Sequence, residues 1–447
     1  MRDRSLNYGG EKEAAKLVQG CTSPEGACYC LKKRIMAHAV PSPSRKKDKK
    51  MLSKTKRSTA TLLASSLLLT TGRGATLPFM AIYLSKAYQM SVDGVGAALT
   101  LAMTMGVLFS LGFGVLADRF DKKRYMLIAI AIFIAGFAAI PLVNNATLVV
   151  LLFAVINCAY SVFSTVLKSY FSDTLGVGVR ARIFSLNYTF VNIGWTIGPP
   201  LATWLVLYGL NMPFWLAAFT ATMALLMILF FVLRVSAMAG ANPTSAAAPP
   251  LSLLWRDQRL LWFTGSAFLG SLVAGSFAIC ISQYVLTFSD SALAQEVVAV
   301  VLPVNAILVV SLQYMVGKRI RADNIRRLMF YGTLCFMLGL AGFLFSGTSL
   351  WMWGLAAAVF TIGEVIYVPG EYMLIDNIAP PGLKAGYFSV QSLGWLGAAF
   401  NPLFTGVMLT TFPAWSLFVA LMVCSWVAYL MMLKGMRVKP VEAMQAG

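Results

Sequence analysis

Polar and apolar positions along this chain are grouped in blocks the length of whole helices. After a polar, basic stretch, residues 1–57, come twelve apolar runs near 59–84, 92–117, 125–143, 147–169, 183–208, 213–234, 259–287, 295–316, 328–346, 350–374, 385–411 and 413–433. A helix rises about 1.5 Å per residue and needs about 20 apolar residues to cross the hydrocarbon core, so each run predicts one transmembrane helix. The expected fold class is an all-α membrane protein. Residues 235–258 are rich in Ala, Pro and Ser and read as a linker between two six-helix halves, 58–234 and 259–434, with 435–447 a short tail.

An internal repeat supports that division. The stretch Arg180 to Asn187, RARIFSLN, aligns with Lys384 to Gln391, KAGYFSVQ; each is preceded by an acid, Asp173 or Asp376, and followed by Gly-Trp and a Pro. The basic loop Gly317 to Arg327 in the second half occupies the place of Gly114 to Arg124 in the first.

Composition makes the same point by another route. The chain is 58% hydrophobic and 12% charged, about half the charged share of a soluble domain. The net charge of +19 does not form a nucleic-acid patch. Twelve of the 36 Lys and Arg lie in residues 1–50, and 22 of the rest are assigned to loops on one side. Lys86 is assigned to the other side and Arg73 to a helix interior. This asymmetry sets orientation, with both termini and the linker expected on the cytoplasmic side of the membrane. Reporter fusions at residue 245 and at the carboxyl end should both show cytoplasmic activity; an external signal at either would sink this topology.

Residues 1–57 show no sustained periodicity and read as a disordered basic tail able to meet anionic lipid. No apolar h-region precedes a small-residue cleavage site, so no cleavable signal peptide is expected. Met51, with Lys54, Lys56 and Arg57 ahead of the first helix, reads as the more typical opening, and residues 1–50 as an extension. Cys21, Cys28, Cys30 and His38 fit no common zinc spacing. Cys158, Cys280, Cys335 and Cys424 lie in apolar runs as small hydrophobes. No metal and no cofactor is expected. Without a nucleophile–base pair or a phosphate loop, the chain does not read as an enzyme; without a soluble output domain, it does not read as a sensor.

The most specific stretch is Gly114 to Arg124, GVLADRFDKKR, a short turn between two spanning runs. Asp118 stands at the end of a helix, where it can pair with a cation or a helix amino terminus. Gly114, one turn earlier, lets another helix pass closely. The stretch resembles the signature of the major facilitator superfamily, G-x-x-x-D-R-x-G-R/K-R/K, matching at Gly114, Asp118, Arg119, Lys122 and Lys123. It departs at Asp121, where the family usually has Gly; that is expected to loosen the turn. In the fifth run, Gly194, Gly198 and Pro199 resemble the family's antiporter motif, which fails at Ala202 and Thr203. The same residues also suit an ordinary kinked packing helix. Over roughly residues 52–437 the chain is similar to the drug–proton antiporter branch. That resemblance implies two parallel six-helix repeats rocking about a midplane site, with helices 1, 4, 7 and 10 lining a central cavity.

Charges inside helices are the remaining pointers, since each costs about 2.5–3.5 kcal/mol to insert at mid-membrane. Arg73 lies mid-run in the first segment; Glu364 and Glu371 share a face of the tenth, with Pro369-Gly370 between them. In the family's arrangement Arg73 and Glu364 would face the cavity from opposite halves, either as a structural ion pair or as working groups. Withdrawal from water makes a carboxyl hold its proton and a nearby cation loosens it, so Glu364 is expected to carry protons, with Glu371 second. Asn157, Tyr160, Ser161, Ser164, Ser266, Ser271 and Gln283 could line the cavity or simply pack helices. The expected function is secondary active transport, as proton-coupled efflux of drug-like, amphipathic or dipeptide-like small molecules by a monomer. A nutrient importer for sugars or peptides is the alternative. Partners are then substrate, protons and lipid, and no nucleic acid.

Overall fold

The twelve apolar runs appear as twelve helical rods in a computed structural model that describes residues 45–90, 92–234, 252–275 and 277–440. They are α1 Arg45–Tyr88, α2 Val92–Leu116, α3 Lys122–Ala139, α4 Ala146–Thr174, α5 Val177–Val206 and α6 Met212–Phe231. Then come α7 in two pieces (Gln258–Ala274 and Phe277–Val285), α8 Ser291–Gly317, α9 Ile325–Phe345 and α10 Leu350–Ile378. The last are α11, also in two pieces (Lys384–Ser392 and Leu396–Thr411), and α12 Ser416–Arg437. Nine of the helices among the described residues are long and apolar enough to cross a membrane by that measure alone. The exceptions are α1, α5 and α7. In α1 and α5 polar residues dilute the apolar run, and α7 is interrupted after Ala274.

Residues from Thr55 onward form one compact unit, separate from those before it. Part of the expected disordered tail is helical: α1 begins at Arg45, well ahead of the expected 59, because Lys and Arg are good helix formers. Cys21, Cys28, Cys30, His38, most of the linker and the last seven residues lie outside the described residues.

Local chemistry explains many of the boundaries. Asn145 accepts from Leu148 N–H at 3.1 Å to start α4, and Asp290 accepts from Leu293 N–H at 3.0 Å to start α8. Between α10 and α11, Pro380 and Pro381 stop the helix and Gly382 takes φ 84°, a left-handed turn that a side chain would strain. Run 385–411 is not one continuous helix, since a 3-10 turn at Leu393–Trp395 breaks it.

Packing follows the two halves. In the first, α4 packs on α2 and α3, and α3 on α6; in the second, α7 packs on α12, and α9 on α10 and α12. Phe133, Phe137, Phe153 and Phe214 fill one interior, and Phe336, Phe343, Phe360 and Trp353 the other. Large apolar side chains such as Phe109, Ile128, Phe230, Leu355 and Leu403 point outward, the inverse of a water-soluble surface and the arrangement a lipid solvent requires. The halves meet where α5 packs on α8 and α10, and where the first piece of α11 packs on α2 and α4. Those contacts gather towards the end of the bundle that carries the basic loops.

Candidate functional site

Two close crossings join the halves at the basic end. A Cβ on Gly114 of α2 would collide with Ser389 Oγ of α11, and a Cβ on Gly317 of α8 would collide with the side chain of Ser185 of α5. Ser185 and Ser389 occupy matching places in the repeat, so the repeated sequence marks two equivalent helix crossings.

Asp118 locks the first crossing. Its two carboxylate oxygens accept the backbone N–H groups of Ala385 at 2.9 Å and Gly386 at 2.6 Å, in the first turn of α11. The cap residue of that helix, Leu383, supplies no side-chain bond of its own, so a carboxylate from the other half does the capping. Lys122, almost fully buried, lies 3.9 Å from Asp118 and pairs with Asp173 of α4. Lys123 donates to the Leu229 carbonyl of α6 at 2.7 Å. Arg119 is exposed, and the buried cation beside Asp118 is Lys122. Asp121 does not loosen the turn; it caps α3, accepting from Arg124 N–H at 2.8 Å.

The acids preceding the repeats take unequal roles. Asp376 of α10 accepts from Arg180 of α5 at 2.8 Å, from Ser172 of α4, and from its own half's Lys384 at 3.0 Å. One buried carboxylate thus ties both repeat segments together, whereas Asp173 stays within the first half on Lys122.

Glu364 lies deeper, between the halves. It accepts from the Tyr188 hydroxyl of α5 and, at 2.6 Å, from the Asn305 amide of α8, which also reaches Thr361 Oγ1 at 3.1 Å. The expected pairing with Arg73 is therefore not formed. Arg73 donates instead to Asn157 Oδ1 at 3.0 Å and stacks over the rings of Tyr160, 4.3 Å away, and Trp195, 5.7 Å away. Helix rotation decides this: α1 turns Arg73 towards α4 and α5 of its own half.

Glu371 borders a cavity with room for about one water, together with Ser266, Gln391, Phe263, Leu374 and Ile375, and its Oε1 is buried without a hydrogen-bond partner. Lys168, assigned above to a loop, is buried in α4 with its ammonium 4.1 Å from the Tyr372 ring, and it interacts electrostatically with Glu371. Ser266 is committed to packing, donating to the Ala428 carbonyl of α12 at 2.8 Å and lying 3.1 Å from Tyr367 Oη. Tyr160, Ser161 and Ser164 are half-buried on α4, Ser271 is half-buried on α7, and Gln283 is half-buried with Oε1 unpaired. In α5, Gly194 and Gly198 press on the backbone of α1 at Thr70–Ala75, where a Cβ on Gly198 would come within 2.5 Å of Ala75 N. Pro199 follows inside the same helix.

Tyr188 and Asn305 are absent from the sequence reading, and Lys168 enters it only among the cations assigned to loops. Tyr188 directly follows the repeated stretch, Asn305 follows Pro303 in an otherwise apolar run, and Lys168 is the one cation inside run 147–169. Each was visible as a polar residue in an apolar run.

The Major Facilitator Superfamily model matches residues 62–402. The chain is 61% identical over 385 residues to the MFS-type transporter YdeE of Escherichia coli strain K12, covering 86% of this chain and 97% of that one. It is 23% identical over 380 residues to a Na(+), Li(+), K(+)/H(+) antiporter of Planococcus maritimus, covering 78% and 88%. Among solved structures, a bacterial homologue of the iron transporter ferroportin in an outward-facing state superposes with a TM-score of 0.69 at 13% identity, over 86% of this chain and 100% of that one.

Proposed function

The chain belongs to the major facilitator superfamily, and we propose that within it the protein is a proton-coupled exporter of small molecules working by alternating access. Secondary transport comes with the family, and the protein is a multi-pass membrane transporter and not an enzyme. Proton coupling and direction are the finer reading. The observation that supports it is Glu364: a buried carboxyl between the halves whose described hydrogen-bond partners, Tyr188 and Asn305, are uncharged. An ionised carboxylate without a cation is costly to bury. A protonated one is tolerated while the halves are together and can ionise when they part. Proton antiport by the Planococcus relative is in keeping with this reading.

The basic end is read as cytoplasmic, held shut by Asp118 on α11 and by Asp376 on Arg180. Opening that end breaks both contacts, so they bias the equilibrium between the two access states. Resistance and intracellular accumulation across a chemical panel, compared in deletion and overexpression strains, test export. Accumulation of exported compounds should fall on overexpression and rise on deletion. The opposite pattern for every responding compound would mean import.

A further inference from the structure

Arg73 is a cation that its surroundings do not neutralise. Of the charges inside α1, α4 and α10, Glu364 is bonded to Tyr188 and Asn305, and Glu371 interacts with Lys168. Among the described residues no carboxylate lies within ion-pair distance of Arg73, whose contacts are one amide oxygen and two aromatic faces. Its Nε is buried with no hydrogen-bond partner. Cation–π contact offsets only part of the cost of withdrawing a guanidinium from water. The residue is nonetheless not sealed in core, for Arg73, Tyr160, Ser161, Ser164 and Trp195 all keep part of their surface exposed. A guanidinium does not face hydrocarbon without heavy cost, so we assign that exposed surface to the water-filled side of the bundle and not to lipid.

A planar guanidinium offers five N–H donors in a fork, and Asn157 takes one of them. The donors that remain match the two oxygens of a carboxylate, and the flanking rings match an apolar or aromatic body. We propose that Arg73, with Tyr160 and Trp195, binds the carboxylate of an amphipathic organic anion that the protein transports. This deepens the transport reading by naming a substrate class. It is read by equilibrium binding with no proton gradient, so a failure of proton coupling would leave it standing.

The test uses purified full-length protein in neutral maltoside micelles, titrated with naphthoate, naphthamide and naphthylmethylammonium, probes of similar shape and different charge. Naphthoate should bind at least about tenfold more tightly than the amide. Arg73→Gln should erase that preference, and Arg73→Lys, which keeps the charge but not the fork, should retain part of it. A second measurement needs no variant: phenylglyoxal modification of Arg73, read by peptide mass, should be slowed by naphthoate and not by naphthamide. Equal or tighter binding of the amide or the ammonium, no binding of naphthoate, or a preference that survives Arg73→Gln would overturn the proposal. Displacement of naphthoate by added phosphatidylglycerol would assign the guanidinium to a lipid phosphate and overturn it as well.

Discussion

Glu364→Gln should abolish proton-driven uphill transport and spare downhill exchange. The substitution keeps the volume of a buried side chain; its amide oxygen can accept from Asn305 while its NH2 donates to the Tyr188 hydroxyl, which can accept as well as donate, so packing among α5, α8 and α10 holds. What it removes is the ionisable proton. An exporter that cannot release a proton behaves as if permanently loaded; it still changes access with substrate bound, but a pH gradient no longer drives it. In vesicles with an imposed pH gradient, uphill accumulation should fall to the level of protein-free vesicles while counterflow of preloaded substrate continues. Uphill transport that persisted would rule out Glu364 as the carrier and move the test to Glu371, whose buried, unpartnered oxygen on the one-water cavity makes it the next group to examine. Tyr188→Phe supplies an independent check, since loss of the hydroxyl should alter the pH dependence of transport without removing the proton site.

Asp118→Asn should have the second large effect, on switching. Asp118 makes two charge-assisted bonds to the first turn of α11 in a buried setting. Hydrogen bonds to charged groups contribute about 1.5–3 kcal/mol each, and a negative charge at a helix amino terminus adds about 0.3–1 kcal/mol. Removing the charge but not the shape should lower the ratio of the state closed at the basic end to the open one by roughly 10- to 100-fold, at about 1.4 kcal/mol per factor of ten. Transport should slow by a similar order, with expression and substrate binding nearly intact. Arg119→Gln, at the exposed neighbour, should change little, in line with the small worth of exposed charges. If Asp118→Asn transported at the parent rate, the turn would be an orientation signal and nothing more.

Much of this molecule is legible along one dimension. Run length predicts the twelve rods to within a few residues at most ends, because crossing hydrocarbon demands a fixed number of apolar residues whatever the neighbours are. The repeat around Arg180 and Lys384 is equally local, and it marks the two segments that Asp376 joins. The Gly114–Asp118 spacing places a small residue and an acid one turn apart, on the face that meets α11.

Partners across the bundle are a different matter. Arg73 and Glu364 are opposite charges in helices expected to share a cavity, yet Arg73 turns to Asn157, Tyr160 and Trp195 and Glu364 to Tyr188 and Asn305. Lys168 reads as a loop cation and is buried over Tyr372; Arg119 and Lys122 match the same signature, yet Arg119 is exposed and Lys122 is buried. Each residue added to a helix turns its side chain by about 100°, so the face presented inward depends on how the whole helix is rotated. That rotation is set by glycine crossings and ring packing between segments hundreds of residues apart. Hydropathy therefore determined which segments span, how many there are and where the loops lie. Only the packed structure decided which charge meets which partner, because that choice rests on contacts between helices and no local pattern records it.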